Sequence, residues 1–307
     1  MTIQQFKQNA MHSLEKSSSP QLDVDVLLQF SLNLSKTQIL LNRNDEISEK
    51  KLNWLNSAIE KRKTGFPIAY ITGHKEFYGY DFLISPSVLI PKPDTEILVE
   101  KALDSVIEKM ETHENSILNI CDMCTGSGCI GISVLKSLIE NYKIPFEKLP
   151  KFTLVDISDS ALEIASKNLE KLIPKFAKSR IRFVRSNLFE MVPWKFDLIF
   201  TNPPYVPSFL VDEMLQDGRN EPRLALDGDV TENGEKSLFK DGLSLIRRLI
   251  PQAEEHLSSL GTMIMETGEY NAILAKEIAE SYNFKTELYQ DLEGQLRGFI
   301  CYKKNLS

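Results

Sequence analysis

The amino-acid sequence predicts an α/β protein, with a doubly wound and mostly parallel sheet of about seven strands that follows a smaller helical part. Two features lead to this prediction. From residue 117 onward, short apolar runs alternate with stretches whose apolar residues recur at helical spacing. A glycine-rich turn follows the first of these apolar runs. Strands that alternate with helices are typical of a parallel sheet covered by helices on both faces.

The sheet is predicted within residues 97–307, which form the larger domain. Apolar runs predict strands at residues 117–121, 152–155, 181–184, 196–200, 261–265, 285–289 and 299–302. Helical periodicity predicts helices at residues 97–110, 129–139, 160–172, 244–260 and 271–282. No helix separates the last two strands, so we expect them to form an antiparallel hairpin.

Residues 1–74 are predicted to form a small helical domain. Ser19-Pro20 is typical of a helix start, and the apolar residues that follow it recur at helical spacing. A further helix is predicted at residues 48–63. Taken alone, these residues are explained as well by simple helix packing as by a specific function.

Residues 75–96 are predicted to form a hairpin linker. Aromatic and β-prone residues, interrupted by glycines, begin at Tyr70 and continue to Phe82. Two prolines near the end of the linker impose an extended path. Asp94 or Thr95 is then expected to cap the next helix.

Composition and charge exclude several classes of function. The formal net charge is −7, and an acidic protein gains little by releasing counterions from a phosphate backbone, which argues against a large nucleic-acid footprint. Cys121 and Cys124 form a C-x-x-C, but no second pair of ligands lies at a suitable spacing, so no metal site is predicted. The four cysteines do not form a disulfide framework, which indicates a reducing compartment. No apolar run is long enough to span a bilayer, and the start lacks the apolar segment of a secretion signal.

A cofactor site is predicted at the turn Thr125-Gly126-Ser127-Gly128 and the preceding Cys124, which join the first strand to a helix. Such a turn lets a ligand approach the backbone. The turn lacks the full dinucleotide signature and the lysine of a phosphate loop, which fits a ligand that offers a carboxylate rather than phosphates. S-adenosylmethionine is such a ligand, although a purely structural turn would explain these glycines equally well.

The ends of the second and third strands supply further candidate cofactor contacts. Asp156 is expected to accept hydrogen bonds from both ribose hydroxyls, as acidic residues do after the second strand of nucleotide-binding folds. Its alternative role is to cap the next helix. Asn187 is a candidate partner for the adenine amino group, and Leu188 is a candidate for packing on the ring. By position alone, both could equally be turn residues.

Asn202-Pro203-Pro204-Tyr205 directly follows the fourth strand and is the most informative segment of the chain. To methylate a planar nitrogen, a site must hold the NH2 group and draw its lone pair out of conjugation. The Asn202 side-chain oxygen and the Pro203 carbonyl are the predicted acceptors, stiffened by the two prolines, and Asn202 also borders the predicted cofactor site. Tyr205 is expected to pack flat on the target group. No strong base is needed beforehand, because the nitrogen becomes acidic as the methyl bonds. An Asn-Pro turn is the structural alternative.

These segments resemble the HemK/PrmC-type release-factor glutamine methyltransferases over nearly the whole chain. The shared segments are Ser19-Pro20 with Asp23 and Leu27-Leu28, residues 65–73, 76–78 and 89–96, the turn at 125–128, residues 202–205, and Glu221-Pro222 with Ala225-Leu226. The resemblance implies a Rossmann-like class I S-adenosylmethionine-dependent methyltransferase sheet with a small helical N-terminal domain and a hairpin linker. It also implies that the N-terminal domain docks the substrate.

The implied substrate is the glutamine of the Gly-Gly-Gln motif in class 1 peptide chain release factors, with the glutamine inserting toward Asn202. The implied product is N(5)-methylglutamine. Direct binding of nucleic acid or of a membrane is not expected. The family works in the cytosol of bacteria and in the mitochondria of eukaryotes, so the resemblance implies one of these two compartments.

The chain departs from the family pattern at four places. Lys92 stands where arginine is usual, Cys124 replaces a common glycine, and Asn187 stands where aspartate is frequent. A cysteine at position 124 would be tolerated at a negative φ. Residues 228–240 are longer than is typical and are predicted to be a polar surface loop.

Three alternatives remain from the sequence. An adenine-N6 nucleic-acid methyltransferase would use the same tetrapeptide, but it would need base flipping and a positive docking surface. A relative that acts on a ribosomal-protein glutamine is disfavoured by the N-terminal domain. A binding protein without activity is disfavoured by the intact Asn202 and Asp156.

Overall fold

The computed structural model describes residues 1–112, 116–216, 220–230, 235 and 237–304. The chain divides into two compact units. The first, the helical unit, consists of Met1–His74 with Glu213–Asn220, and the second, the sheet unit, of Lys75–Asp212 with Glu221–Ser307. The sequence prediction placed Glu213–Asn220 in the larger domain, whereas its contacts group it with the helices.

The helical unit contains five helices: α1 Ile3–Ser13, α2 Pro20–Leu32, α3 Lys36–Leu41, α4 Glu49–Lys63 and α5 Ile68–Thr72. They enclose an apolar core that includes Phe6, Leu27, Leu28 and Leu55. Pro20 occupies the first position of α2 as predicted, although the Ser19 side chain makes no capping hydrogen bond. The prediction of β structure from Tyr70 was wrong, because Tyr70 lies in α5 and its ring is buried.

The predicted hairpin forms from β1 His74–Phe77 and β2 Tyr80–Leu83. Tyr78 and Gly79 make its two-residue turn, both at positive φ, as tight hairpin turns require. A short 3-10 helix, Pro93–Thr95, leads into α6 Glu96–Thr112.

The sheet unit alternates strands and helices as the sequence predicted. Its elements are β3 Asn119–Met123, α7 Cys129–Glu140, β4 Lys151–Asp156, α8 Asp159–Leu172, β5 Ile181–Arg185, β6 Phe196–Thr201, the start of α9 Ser208–Gln216, α10 Ser244–His256, β7 Leu257–Glu266, α11 Ala272–Glu280, β8 Phe284–Gln290 and β9 Leu296–Lys303. The end of α9, from Glu213 onward, belongs to the helical unit. The seven strands lie in the order β5-β4-β3-β6-β7-β9-β8, and β9 alone runs antiparallel to its neighbours. Because β3 to β6 are parallel, their carboxyl ends meet at one edge of the sheet.

Two predicted boundaries were wrong. The first strand of the sheet was predicted to end at Cys121, but β3 continues through Asp122 to Met123, because Asp122 pairs with Leu154 of β4 and Phe200 of β6. The helix predicted at 244–260 ends at His256, since Leu257 already pairs with Phe196 of β6. In both places, tertiary pairing overrides the local pattern.

None of the helices within the described residues is both long enough and apolar enough to cross a membrane.

Candidate active site

A cavity of about 240 Å³ lies at the edge where the carboxyl ends of β3 to β6 meet. Its walls come from the segments that follow these strands and from the chain before α6 and after residue 221. The predicted site residues on the wall are Cys124, Thr125, Gly126, Ser127, Asp156, Asn187, Leu188, Asn202 and Pro204. Gly128, Pro203 and Tyr205 were also predicted site residues, but they do not line this cavity.

The turn after β3 is shaped by three left-handed residues. Cys124, Gly126 and Gly128 have φ of 59°, 55° and 77°. The condition under which a cysteine would be tolerated here, a negative φ, is not met, so Cys124 has a backbone strain that a glycine would avoid. A Cβ on Gly128 would lie 2.8 Å from a methyl of Ile132, so Gly128 permits close packing with the helix layer rather than contact with the cavity.

Asp122 stabilises this turn through the hydrogen bonds that its carboxylate accepts. Its Oδ2 accepts hydrogen bonds from the Thr125 hydroxyl at 2.7 Å and from the Gly131 amide at 3.0 Å. Complete burial raises the pKa of Asp122 to about 7. Among the described residues, no donor reaches its Oδ1. Asp122 does not itself line the cavity, so it acts on the site through the turn that its hydrogen bonds hold.

Asp156 joins β4 to the same turn. Its Oδ2 accepts a hydrogen bond from the Gly126 amide and its Oδ1 one from the Ser158 amide, both at 2.9 Å. Burial raises the pKa of the Asp156 carboxyl above its usual range. The cap of α8 is Ser158, so the alternative role of Asp156 as a helix cap is not seen. Each carboxylate oxygen has a second lone pair, which remains available to a ligand hydroxyl.

Asn187 and Leu188 follow β5. The Asn187 amide donates to Glu190 at 2.6 Å, and its oxygen accepts from Arg248 at 3.2 Å. The predicted acceptor is therefore oriented by a cationic side chain that also lines the cavity. Leu188 is buried at a φ of 52°, a left-handed conformation that a leucine adopts only under tertiary constraint.

The segment Asn202 to Tyr205 is held by close backbone packing. The Tyr205 carbonyl accepts a hydrogen bond from the side-chain amide of Asn271 at 2.9 Å. A Cβ on Gly242 would lie 2.1 Å from that carbonyl oxygen, and a Cβ on Gly228 would lie 2.8 Å from the Pro204 carbonyl oxygen. Because only glycines allow such an approach, the two glycines fix the path of the segment.

The side chains of this segment have different surroundings. The Asn202 amide nitrogen donates to the Thr95 hydroxyl at 3.1 Å. The Tyr205 hydroxyl donates to Glu266 at 3.3 Å, and the Tyr205 ring packs against the core of the sheet unit. The structure therefore does not bring Tyr205 to the cavity wall, where it was expected to cover the target group.

The sequence interpretation missed the roles of Thr95 and Glu266, and it noted Lys92 only as a departure from the family pattern. Thr95, expected only as a possible helix cap, lines the cavity and donates to Glu266 at 3.2 Å. Glu266 ends β7 in the way that Asp156 ends β4, and this position was the available signal. Lys92, which replaces the usual arginine, makes a single contact of 2.7 Å with the buried Glu221.

The predicted polar surface loop at 228–240 is only partly supported. Residues 231–234 and 236 lie outside the described residues. Gly228 and Asp229 are buried, and the Asp229 carboxylate accepts a hydrogen bond from the Gly242 amide at 2.8 Å. The first residues of the loop are therefore buried and help to hold the site in place, and they do not lie on the surface.

Comparison with known proteins yields two family matches and several relatives of similar length. The family model described as the PrmC N-terminal domain matches residues 5–73, and the one described as the methyltransferase small domain matches residues 98–220. A release factor glutamine methyltransferase of Koribacter versatilis is 35% identical over 300 residues, which cover 96% of each chain. A protein of the same name from Leptospira interrogans is 39% identical, with 92% of this chain and 91% of that chain covered.

Solved structures share the fold. The catalytic domain of hMettl16, in complex with the MAT2A 3′UTR hairpin 6, superposes with a TM-score of 0.51 at 14% identity and covers 81% of this chain and 83% of that one. At this identity the similarity concerns the sheet and its helices alone, and it confirms the predicted methyltransferase fold.

Proposed function

This chain belongs to the family of release factor glutamine methyltransferases, and on that premise we propose that it methylates the glutamine of the Gly-Gly-Gln motif in a class 1 release factor. The observation that carries the proposal is the position of Asn202. Its amide lies on the wall of the cavity with Nδ2 turned to Thr95, so that Oδ1 is left as an acceptor. The full-length matches favour this substrate over adenine or a ribosomal-protein glutamine.

The cofactor of the enzyme is S-adenosylmethionine, and the residues of the cavity suit it. When bound, S-adenosylmethionine supplies a methyl group on a positively charged sulfur. The left-handed turn at 124–128 exposes backbone to the cavity, and Asp156 retains lone pairs for a ribose hydroxyl. The apolar Leu188 lines the same cavity, and Asp122 holds the turn through the hydrogen bonds that it accepts from Thr125 and Gly131.

The role of Asn202 and Pro203 is to hold the substrate carboxamide. A glutamine NH2 has two hydrogens, and the Asn202 Oδ1 and the Pro203 carbonyl oxygen are two acceptors without a donor among the described residues. Acceptors at both hydrogens favour pyramidal nitrogen and localise its lone pair. Their rigid backbone means that little reorganisation is needed when charge develops on the nitrogen. The nitrogen loses one of these protons after it has gained the methyl.

The helical unit is proposed to dock the release factor. In support, it matches the family's N-terminal domain, and α3 presents Leu40 and Leu41 at 66% and 77% exposure. Neighbouring exposed leucines are typical of a protein-binding surface. The enzyme then acts wherever its release factor is found, in the bacterial cytosol or in mitochondria.

The docking proposal predicts that Leu40→Asp together with Leu41→Asp raises the KM for the intact release factor about tenfold or more, because apolar contact area is lost. The kcat/KM for a short Gly-Gly-Gln peptide should stay the same, since the peptide lacks the rest of the release factor, which is proposed to contact α3. An equal loss with protein and peptide would contradict docking by this face.

Transfer of a tritiated methyl group tests the proposed reaction. We expect about one methyl per molecule of purified release factor. The matched control is a release factor whose motif is changed to Gly-Gly-Ala, which should take up none. Label that appeared on DNA or ribosomes but not on the release factor would overturn the proposal.

A further inference from the structure

A chain of hydrogen bonds runs from the cavity wall into the interior of the sheet unit. The side-chain Nδ2 of Asn202 donates to the Thr95 hydroxyl at 3.1 Å, and the Thr95 hydroxyl donates to Glu266 Oε1 at 3.2 Å. The Tyr205 hydroxyl donates to the same oxygen at 3.3 Å. Thr95 and Glu266 are 2% and 3% exposed, so water does not compete for these contacts.

The direction of each bond in this chain is set by the carboxylate. An ionised carboxylate only accepts, and a hydroxyl has one proton to donate. When Thr95 gives its proton to Glu266, it can only accept from Asn202. The Asn202 carboxamide must then present Nδ2 to Thr95, and its Oδ1 is turned to the opposite side, toward the cavity.

We propose that Thr95 and Glu266 are positioning residues which fix the Asn202 carboxamide with its oxygen facing the substrate. This inference rests on the proposed function, because it explains how the acceptor for the substrate NH2 is held. A carboxamide rotated by 180° would present its own NH2 to the substrate NH2, and two donors would face each other. Neither positioning residue needs to touch the substrate.

The surroundings of Glu266 make its charge sensitive to pH. Its Oε2 is buried and has no donor among the described residues, and complete burial raises the pKa of Glu266 to about 7. The nearby ionisable groups are Asp94, Arg297, Tyr205, Tyr289 and Cys129. A protonated Glu266 can donate to the Thr95 hydroxyl. That hydroxyl can then donate its own proton to the Asn202 oxygen, so the orientation of the Asn202 carboxamide is no longer fixed.

A pair of substitutions at Thr95 tests the positioning role. Thr95→Val keeps the shape but removes the hydroxyl, and kcat for release-factor methylation should fall about tenfold, the value of one hydrogen bond. Thr95→Ser keeps the hydroxyl and should restore most of kcat. The dissociation constant of S-adenosylmethionine should remain within about threefold in both variants, since the cofactor contacts are untouched.

The Glu266→Gln variant tests the direction of the hydrogen bonds that link Glu266, Thr95 and Asn202. The buried amide of the new glutamine can point its two N–H groups at the Thr95 and Tyr205 hydroxyls, which then accept rather than donate. Thr95 would then donate to Asn202 and reverse its carboxamide. We expect kcat to fall on the order of 100-fold, as when one preorganised polar contact of an active site is lost.

The pH dependence separates this role from a purely structural one. The ratio of wild-type to Glu266→Gln kcat should fall as the pH is lowered from about 8 to about 6, because the wild-type carboxylate becomes protonated. Taking the ratio cancels titrations that both enzymes share, including that of Asp122. A ratio that does not vary with pH would overturn the proposal.

Two further outcomes distinguish the failure of this inference from the failure of the proposed function. If the wild-type enzyme labels the release factor while Thr95→Val and Thr95→Ser keep the same kcat as each other, only the positioning role fails. If the wild-type enzyme does not label the release factor at all, the proposed function fails. Melting temperatures measured for every variant exclude loss of fold as the cause.

Discussion

Asn202 is the residue on which the proposed reaction depends most directly. It lies at the end of β6, and tertiary contacts fix both its backbone and its amide. Asn202→Ala should lower kcat by about 10²- to 10³-fold, because it removes an acceptor that acts on the reacting nitrogen. Single-turnover methylation of the release factor measures this loss.

Asp156→Ala should mainly weaken cofactor binding, whereas Asn202→Ala at the same cavity should mainly lower kcat. The Asp156 variant should raise the dissociation constant of S-adenosylmethionine about tenfold or more, since two backbone amides lose their acceptor, as does the ribose hydroxyl in the proposed binding mode. Asn202→Ala should change that constant far less. Unfolding of the Asn202 variant would instead support the structural alternative, a simple Asn-Pro turn.

Sequence reasoning predicted most of the polar residues that follow strands at the cavity, but it missed Glu266 at the end of β7 and Thr95, which comes from outside the sheet. Asp156 and Asn202 could be predicted because polar residues at the ends of parallel strands share one edge of the sheet. Thr95 could not, since its partner Glu266 is 171 positions away and its local context indicated a helix cap. Only the folded chain brings the two together.

The turn between β3 and α7 contains a cysteine in a left-handed conformation, and the free-energy cost of that conformation can be measured. Cys124 has a φ of 59°, where a side chain costs about 1 kcal/mol relative to glycine. Cys124→Gly should therefore be more stable than Cys124→Ala by about 1 kcal/mol, although alanine is normally the more stable residue. Urea unfolding of the two variants without cofactor measures the difference, and the two share the loss of the thiol.

The β8–β9 hairpin supplies a second matched pair. A Cβ on Gly298 would lie 2.0 Å from the Met265 carbonyl oxygen and 2.6 Å from the Tyr289 hydroxyl, whereas a Cβ on Gly294 would meet nothing. Gly298→Ala should lower the free energy of unfolding by about 3 kcal/mol or more, because strands β7 and β9 must separate. Gly294→Ala should cost only about 1 kcal/mol of backbone strain. Similar losses in the two variants would show that close approach is not the cause.

Elements defined by strong periodicity were predictable, and elements defined by their partners were not. The alternation from β3 to α8 follows directly from the sequence. α5 is short and aromatic and was taken for β structure, and the first residues of β7 were taken for the end of a helix. In both segments local propensity is weak, so packing decides the conformation.

The stability of the whole molecule should depend on pH through its buried carboxyls. Glu266 has a pKa of about 7 in the folded chain, and an unfolded glutamate titrates near about 4.3. Between these values the unfolded chain releases a proton that the folded chain keeps. The free energy of unfolding of the wild type should therefore fall as the pH rises from about 4.5 to about 7.

The Glu266→Gln variant isolates this contribution, because a glutamine does not titrate. Over the same range, the wild type should lose on the order of 1 to 3 kcal/mol relative to the variant. Chemical unfolding at a series of pH values measures the difference. Parallel curves for the two proteins would mean that Glu266 is ionised to the same extent in the folded and unfolded chains.

The order of strands could be predicted only in part. Consecutive strands tend to be neighbours, which suggested that the last two strands pair. The sequence does not show that β9 inserts between β7 and β8, and this insertion places Gly298 opposite Glu266.

This insertion has a consequence for how the protein is made. A nascent chain that has emerged from the ribosome only as far as β8 already contains every residue of the cavity wall. It still lacks the strand that pairs with Met265 and Glu266. The edge of β7 then stays open to water, which would compete for the carboxylate that orients Asn202. Full activity is thus reached last during synthesis, and a polypeptide that stops before residue 296 should methylate its substrate slowly even when its cavity has formed.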